Sequence, residues 1–104
     1  MNTIAFKMYL KPGCKEIYKQ RHAEIWPQLK QLLKSKGISD YYIFLDESTN
    51  TLFAVQNQLF TQSSQNLDDH EIVQLWWAHM ADIMETNPDN SPVTQMLEQV
   101  FYLE

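Results

Sequence analysis

Apolar and polar residues alternate from Ile4 to Leu10, with Ile4, Phe6, Met8 and Leu10 on one side and Ala5, Lys7 and Tyr9 on the other. A period of two predicts a strand with one strongly apolar face. In the run "KPGCK" that follows, Pro12 and Gly13 break regular structure and predict a loop. Between about Lys15 and Lys36 the period changes. At about 100° per residue, Tyr18, His22, Ile25, Trp26, Leu29, Leu32 and Leu33 fall within an arc of roughly 120°, the width of a core-facing helical stripe. The stripe keeps its phase across Pro27, which projects from the opposite side. The pattern therefore predicts one continuous helix, kinked at Pro27, and not two helices. Gly37 is placed to act as its C-cap.

Further on, "YYIFL" from Tyr41 to Leu45 and "TLFAV" from Thr51 to Val55 are β-rich runs joined by the hairpin loop "DESTN". The polar stretch "TQSSQNLDDH" leads into a second helix, predicted from about Glu71 to Met84. Ile72, Trp76, His79, Met80 and Ile83 share its inner face, widened by Val73, Trp77 and Met84. "TNPDNSP" stops that helix with two prolines and turn formers, and "VFYL" near the C-terminus reads as a last short strand. The order strand, helix, strand, strand, helix, strand is the split βαβ arrangement of an α+β, ferredoxin-like sandwich: an antiparallel sheet with two helices on one face. No internal repeat or low-complexity segment interrupts it.

"YYIFL" and "VFYL" are apolar on both faces, whereas a sheet covered on one side only should alternate apolar with polar. Two helices cannot cover both sides of four strands. A second copy packed sheet to sheet would cover the remaining face, so the pattern predicts a homodimer of the dimeric α+β barrel type.

Composition narrows the function without naming it. The 104 residues make one domain, 1–104, of ordinary globular composition: 44% apolar and 20% charged. The formal charge of −5, without a lysine or arginine block, argues against a nucleic-acid partner. Two glycines leave no room for a glycine-rich nucleotide loop. No apolar run approaches the roughly 20 residues that span a bilayer, and no signal-peptide core follows Met1. The single cysteine, Cys14, has no internal disulfide partner. A reduced, cytoplasmic protein without membrane association is expected.

His22 is the first candidate for chemistry. An imidazole exchanges protons near neutral pH, burial lowers its pKa, and Tyr18 presents a hydroxyl one turn away. Periodicity alone leaves His22 balanced between a packed core histidine and a site residue. Trp76 and Trp77 point about 100° apart on a helix, so one is expected to pack inward and one to edge a cleft. Aromatic faces beside polar groups suit ligands that carry both C–H surface and hydroxyls, as sugars do, although tryptophan is also an ordinary core residue. His79 reads as packed, His70 as solvated, and Asp68, Asp69 and Glu71 as a charged start to the second helix. His22, His70 and His79 match no metal-ligand spacing, so no metal and no cofactor are expected.

With those residues in view, the sequence resembles the L-rhamnose mutarotase family nearly end to end. The resemblance is carried by "YKQRHAEIWPQL", "YYIFLD", the pair "WW" at 76 and 77, "NPDNSP" and "VFYL". It implies a small ferredoxin-like dimer that interconverts the α and β anomers of L-rhamnose without a cofactor. It also implies that His22 is the catalytic acid/base and that Tyr18, Tyr41, Trp76 and Trp77 bind the sugar. Two positions depart from the expected pattern: His79 stands where a tyrosine is expected, and Asp40 where an asparagine would also fit. The shared architecture leaves two alternatives: a cofactor-free oxygenase or haem-binding member of the dimeric α+β barrel group, and a non-catalytic sugar-binding module.

Overall fold

A computed structural model describes residues 2–60 and 66–104 of the chain. Four strands form one antiparallel sheet: β1 (Asn2–Tyr9), β2 (Ile38–Asp46), β3 (Thr51–Gln58) and β4 (Gln95–Leu97), in the order β2-β3-β1-β4. Helices α1 (Lys15–Ala23), α2 (Pro27–Ser35) and α3 (Glu71–Met80) complete the ferredoxin-like α+β fold. The core lies between helices and sheet. Phe6 and Met8 from β1 and Leu52 and Ala54 from β3 meet Tyr18, Leu29, Val73, Trp76, Trp77 and Met80 from the helices. These strand residues are the apolar positions of the period-two pattern, because alternate side chains share a face.

The first helix is broken and not kinked, which corrects the continuous helix read from the stripe. Pro27 has no N–H, and its ring would collide with the carbonyl one turn earlier inside a helix. It also drives the preceding residue out of helical conformation, and Trp26 is extended at φ −63°, ψ 133°. Helix α1 therefore ends at Ala23, and Pro27 becomes the first residue of α2, where a missing N–H costs nothing. Gly37 follows α2 at φ +77°, as a C-terminal glycine should. A Cβ there would lie 2.8 Å from the Cβ of Leu59, so the position also needs the space.

Two further boundaries differ. Helix α3 stops at Met80, and residues 81–83 continue as turns until Met84 bridges Leu10. The last strand is Gln95–Leu97, not "VFYL". Leu97 pairs antiparallel with Ala5, so Val100 continued in register would face Asn2 and the next residues would run off the end of β1. Val100 and Leu103 are instead 88% and 82% exposed. The hairpin loop is as expected: the Asp46 side chain accepts hydrogen bonds from the Ser48 N–H and hydroxyl at 3.2 and 2.8 Å. The polar stretch before α3 lies partly outside the described residues, at 61–65.

The sheet's outer face is apolar at "YYIFL", as the sequence pattern predicts, whereas "VFYL" lies beyond the sheet and adds nothing to that face. Tyr42 and Phe44 stack with centroids 6.2 Å apart and are 56% and 61% exposed. Among the described residues, no helix is long and apolar enough to cross a membrane.

Candidate active site

A cavity of about 860 Å³ opens between the sheet and the helices, within the size range of small-molecule sites. Tyr18 and His22 from α1, Tyr41 from β2, and Trp76 and Trp77 from α3 all line it. Five positions scattered over sixty residues of chain therefore share one space. Its walls are otherwise mostly aliphatic, from Met8, Leu10, Leu29, Ile43, Leu52 and Met80. Polar groups enter from Lys15, Lys19, Lys30, Glu47, Thr86 and Asn90.

Local helix geometry aims the first pair. Tyr18 and His22 are four residues apart and lie on one face of α1. Their rings stack with centroids 4.2 Å apart and planes 28° from parallel. Trp76 meets His22 in a T-shaped contact, with centroids 5.5 Å apart and planes at 88°. Together these contacts hold the imidazole on two sides.

His22 Nδ1 lies 3.1 Å from the backbone carbonyl oxygen of Tyr18. A carbonyl only accepts, so Nδ1 carries the proton and donates it. In the neutral ring the lone pair is then on Nε2. Burial pushes the His22 pKa below the usual imidazole value, and the bond to the Tyr18 carbonyl opposes this less strongly. Tyr18 is shifted the other way: burial, and to a smaller degree the neighbouring Tyr41, push its hydroxyl far above the ordinary phenol range. At neutral pH the site therefore presents an unprotonated imidazole nitrogen beside a fully protonated phenol.

The two tryptophans share the wall more evenly than expected. Trp76 is 8% exposed and Trp77 6%, and both line the cavity. A cavity lying along α3 touches two sectors of that helix, so neither tryptophan is confined to its edge. Trp26 packs edge-on against Trp76 at 5.1 Å, behind the cavity wall. His79 lies against the Trp26 and Trp76 rings and is otherwise exposed, so it is less enclosed than the sequence suggested. Among the described residues, no three His, Cys, Asp or Glu side chains are grouped to hold a metal ion.

Sequence reading missed Arg21. Its guanidinium grips the Asp82 carboxylate through two nitrogens at 2.8 and 3.1 Å and donates to the His79 carbonyl at 2.7 Å. The fork clamps the end of α1 that carries His22 onto the C-terminal end of α3. At the other end of α1, the Lys15 ammonium meets Glu47 of the hairpin loop at 3.3 Å, and both residues border the cavity.

Known proteins resemble this chain from end to end. The family model described as L-rhamnose mutarotase matches residues 3–103. An L-rhamnose mutarotase of Formosa agariphila is 58% identical over 104 residues, and one of Bacteroides thetaiotaomicron is 56% identical; each alignment covers the whole of both chains. The crystal structure of a Formosa agariphila L-rhamnose mutarotase superposes with a TM-score of 0.93 at 55% identity, again covering both chains completely. With a family model matched over residues 3–103 and end-to-end similarity at this level, the chain belongs to the L-rhamnose mutarotase family of carbohydrate isomerases.

Proposed function

We propose that the cavity binds L-rhamnose and that His22 moves the proton that opens and recloses its ring. Nε2 takes the proton of the anomeric hydroxyl and delivers it to the ring oxygen as the C1–O5 bond breaks. The hydroxyl and ring oxygens share C1, so one nitrogen can reach both in succession. Rotation about C1–C2 turns the other aldehyde face toward the chain hydroxyl. Closure then runs in reverse: Nε2 takes that hydroxyl's proton and returns it to the new anomeric oxygen. No net proton is consumed, and only the hemiacetal bond breaks and re-forms.

The observation that supports this reading is the bond from His22 Nδ1 to the Tyr18 carbonyl, which leaves Nε2 as the basic nitrogen of a residue that lines the cavity. A positioned group of this kind contributes about 10²- to 10⁴-fold. That suffices for a reaction that already proceeds unaided in water. The Tyr18 and Tyr41 hydroxyls orient the sugar by hydrogen bonding, while Trp76 and Trp77 cover its C–H face and methyl group. Saturation-transfer NMR between the α- and β-L-rhamnose resonances tests the activity. Faster exchange with protein present is expected. Tight binding without faster exchange would instead mark a sugar-binding module.

The same reading makes the working unit a homodimer in the cytoplasm. The stacked, exposed pair Tyr42 and Phe44 supports a second copy over the outer sheet face. Phe44→Glu is expected to shift the sedimentation coefficient from dimer to monomer, and a wild-type chain that sediments as a monomer contradicts the assignment.

A further inference from the structure

Strand β2 changes sides partway along its length. Ile38 pairs with Gln58 and Ser39 with Asn57, but the next pair is Tyr42 with Val55. Three steps on β2 match two on β3, so β2 carries one extra residue, a β-bulge. Side chains alternate along a strand, and one extra residue reverses which of them face the core. Ile38 is buried before the bulge; after it Tyr41, Ile43 and Leu45 are covered, while Tyr42 and Phe44 are exposed. Had the register continued from Ile38, Tyr41 would share the outward face of Ser39. The bulge is what delivers Tyr41 to the cavity.

Asp40 is the residue that makes the bulge possible. Its φ of +46° lies in the left-handed region, which aspartate and asparagine tolerate and β-branched residues do not. Its Oδ2 accepts a hydrogen bond from Asn57 Nδ2 at 3.0 Å, and Asn57 Oδ1 accepts one from the Thr3 hydroxyl at 2.6 Å. Side chains from β1, β3 and β2 are thus linked in a row immediately before Tyr41.

We propose that Asp40 is a positioning residue, whose left-handed backbone and bond to Asn57 hold the bulge that turns Tyr41 toward the sugar. The kinetic half of this inference rests on the reading that Tyr41 contacts the sugar; the conformational half does not. The Tyr41 ring lies 6.5 Å, centroid to centroid, from buried Phe6, close enough for ring–ring NOEs that report which way Tyr41 faces.

Asp40→Val removes both supports, whereas Asp40→Asn keeps both. The valine variant is expected to lose the Tyr41–Phe6 NOEs. Its KM should rise about tenfold, the worth of one hydrogen bond, with kcat within about twofold. Asp40→Asn should restore both readouts. In a Tyr41→Phe background, Asp40→Val should add less than about twofold to KM, because a residue acting through Tyr41 has little left to act on. Asn57→Ala, which leaves the left-handed position untouched, should weaken the same NOEs and serves if the valine variant does not fold. Persistence of the NOEs in the variants that fold, or an Asp40→Val penalty as large in the Tyr41→Phe background as in wild type, overturns the proposal. Should Tyr41→Phe leave KM unchanged, the sugar contact of Tyr41 falls, and the NOEs alone decide the role of Asp40.

Discussion

The Nδ1 atom of His22 points at the carbonyl oxygen of Tyr18, 3.1 Å away and one helical turn earlier. This contact fixes the tautomer without any help from a side-chain carboxylate. It places the basic nitrogen on the far side of the ring, while burial keeps the ring neutral. Tyr18 contributes twice, orienting the imidazole through its backbone and offering a protonated hydroxyl through its side chain.

The pH dependence follows in sign. In the proposed mechanism the working form is neutral His22, whose pKa lies below the ordinary value of 6.5. The catalysed exchange, after subtraction of the uncatalysed rate, is therefore expected to keep more than half of its plateau at pH 6.5 and to reach the half-point only at more acid pH. Stability follows the same direction. The unfolded chain takes up the proton near the ordinary value and the folded chain only lower down, so the His22 contribution, present above 6.5, is lost as pH falls through the folded pKa. Urea midpoints and NMR exchange rates over the same pH series check both limbs. A rate whose half-point lies above pH 6.5 contradicts the shift.

Trp76 carries both packing and site geometry. It meets His22, Trp26 and His79 ring to ring and is nearly buried. Trp76→Ala is expected to cost about 3–5 kcal/mol of stability, the usual range for emptying a buried aromatic position. Denaturant titration measures that cost. Exchange should fall in the folded fraction too, since the wall against the imidazole is gone.

At Pro27 the expected effect is small and of a different origin. The proline occupies the first position of α2, where its fixed φ suits the helix. Pro27→Ala is expected to destabilise by about 0.4–1 kcal/mol, because the unfolded chain gains freedom. The urea midpoint should drop without a change in m, and activity should persist. A large loss of activity would show that the break between α1 and α2 itself sets the position of His22.

Much of this architecture can be read from residue patterns, and the exceptions have physical causes. The alternation of β1, the hairpin at 46–50 and the inner stripe of α3 reflect burial of one face, which sequence period encodes directly. The five residues singled out for chemistry do share one cavity. The helix break was hidden because α1 and α2 pack on the same core, so the stripe keeps its phase across the three intervening residues. "VFYL" has strand composition, but β1 has no length left to pair with it. The clamp of Arg21 on Asp82 spans 61 positions and leaves no local trace. The bulge at Asp40 is written only in a residue type that tolerates left-handed backbone, too weak a signal to read without the register.

The role of His22 stands on anomer exchange in a His22→Ala variant that retains the wild-type fold. Saturation-transfer NMR between α- and β-L-rhamnose should show the protein-dependent rate falling by about 10²- to 10⁴-fold. An unchanged rate in a folded His22→Ala protein would contradict the assignment of proton transfer to this histidine.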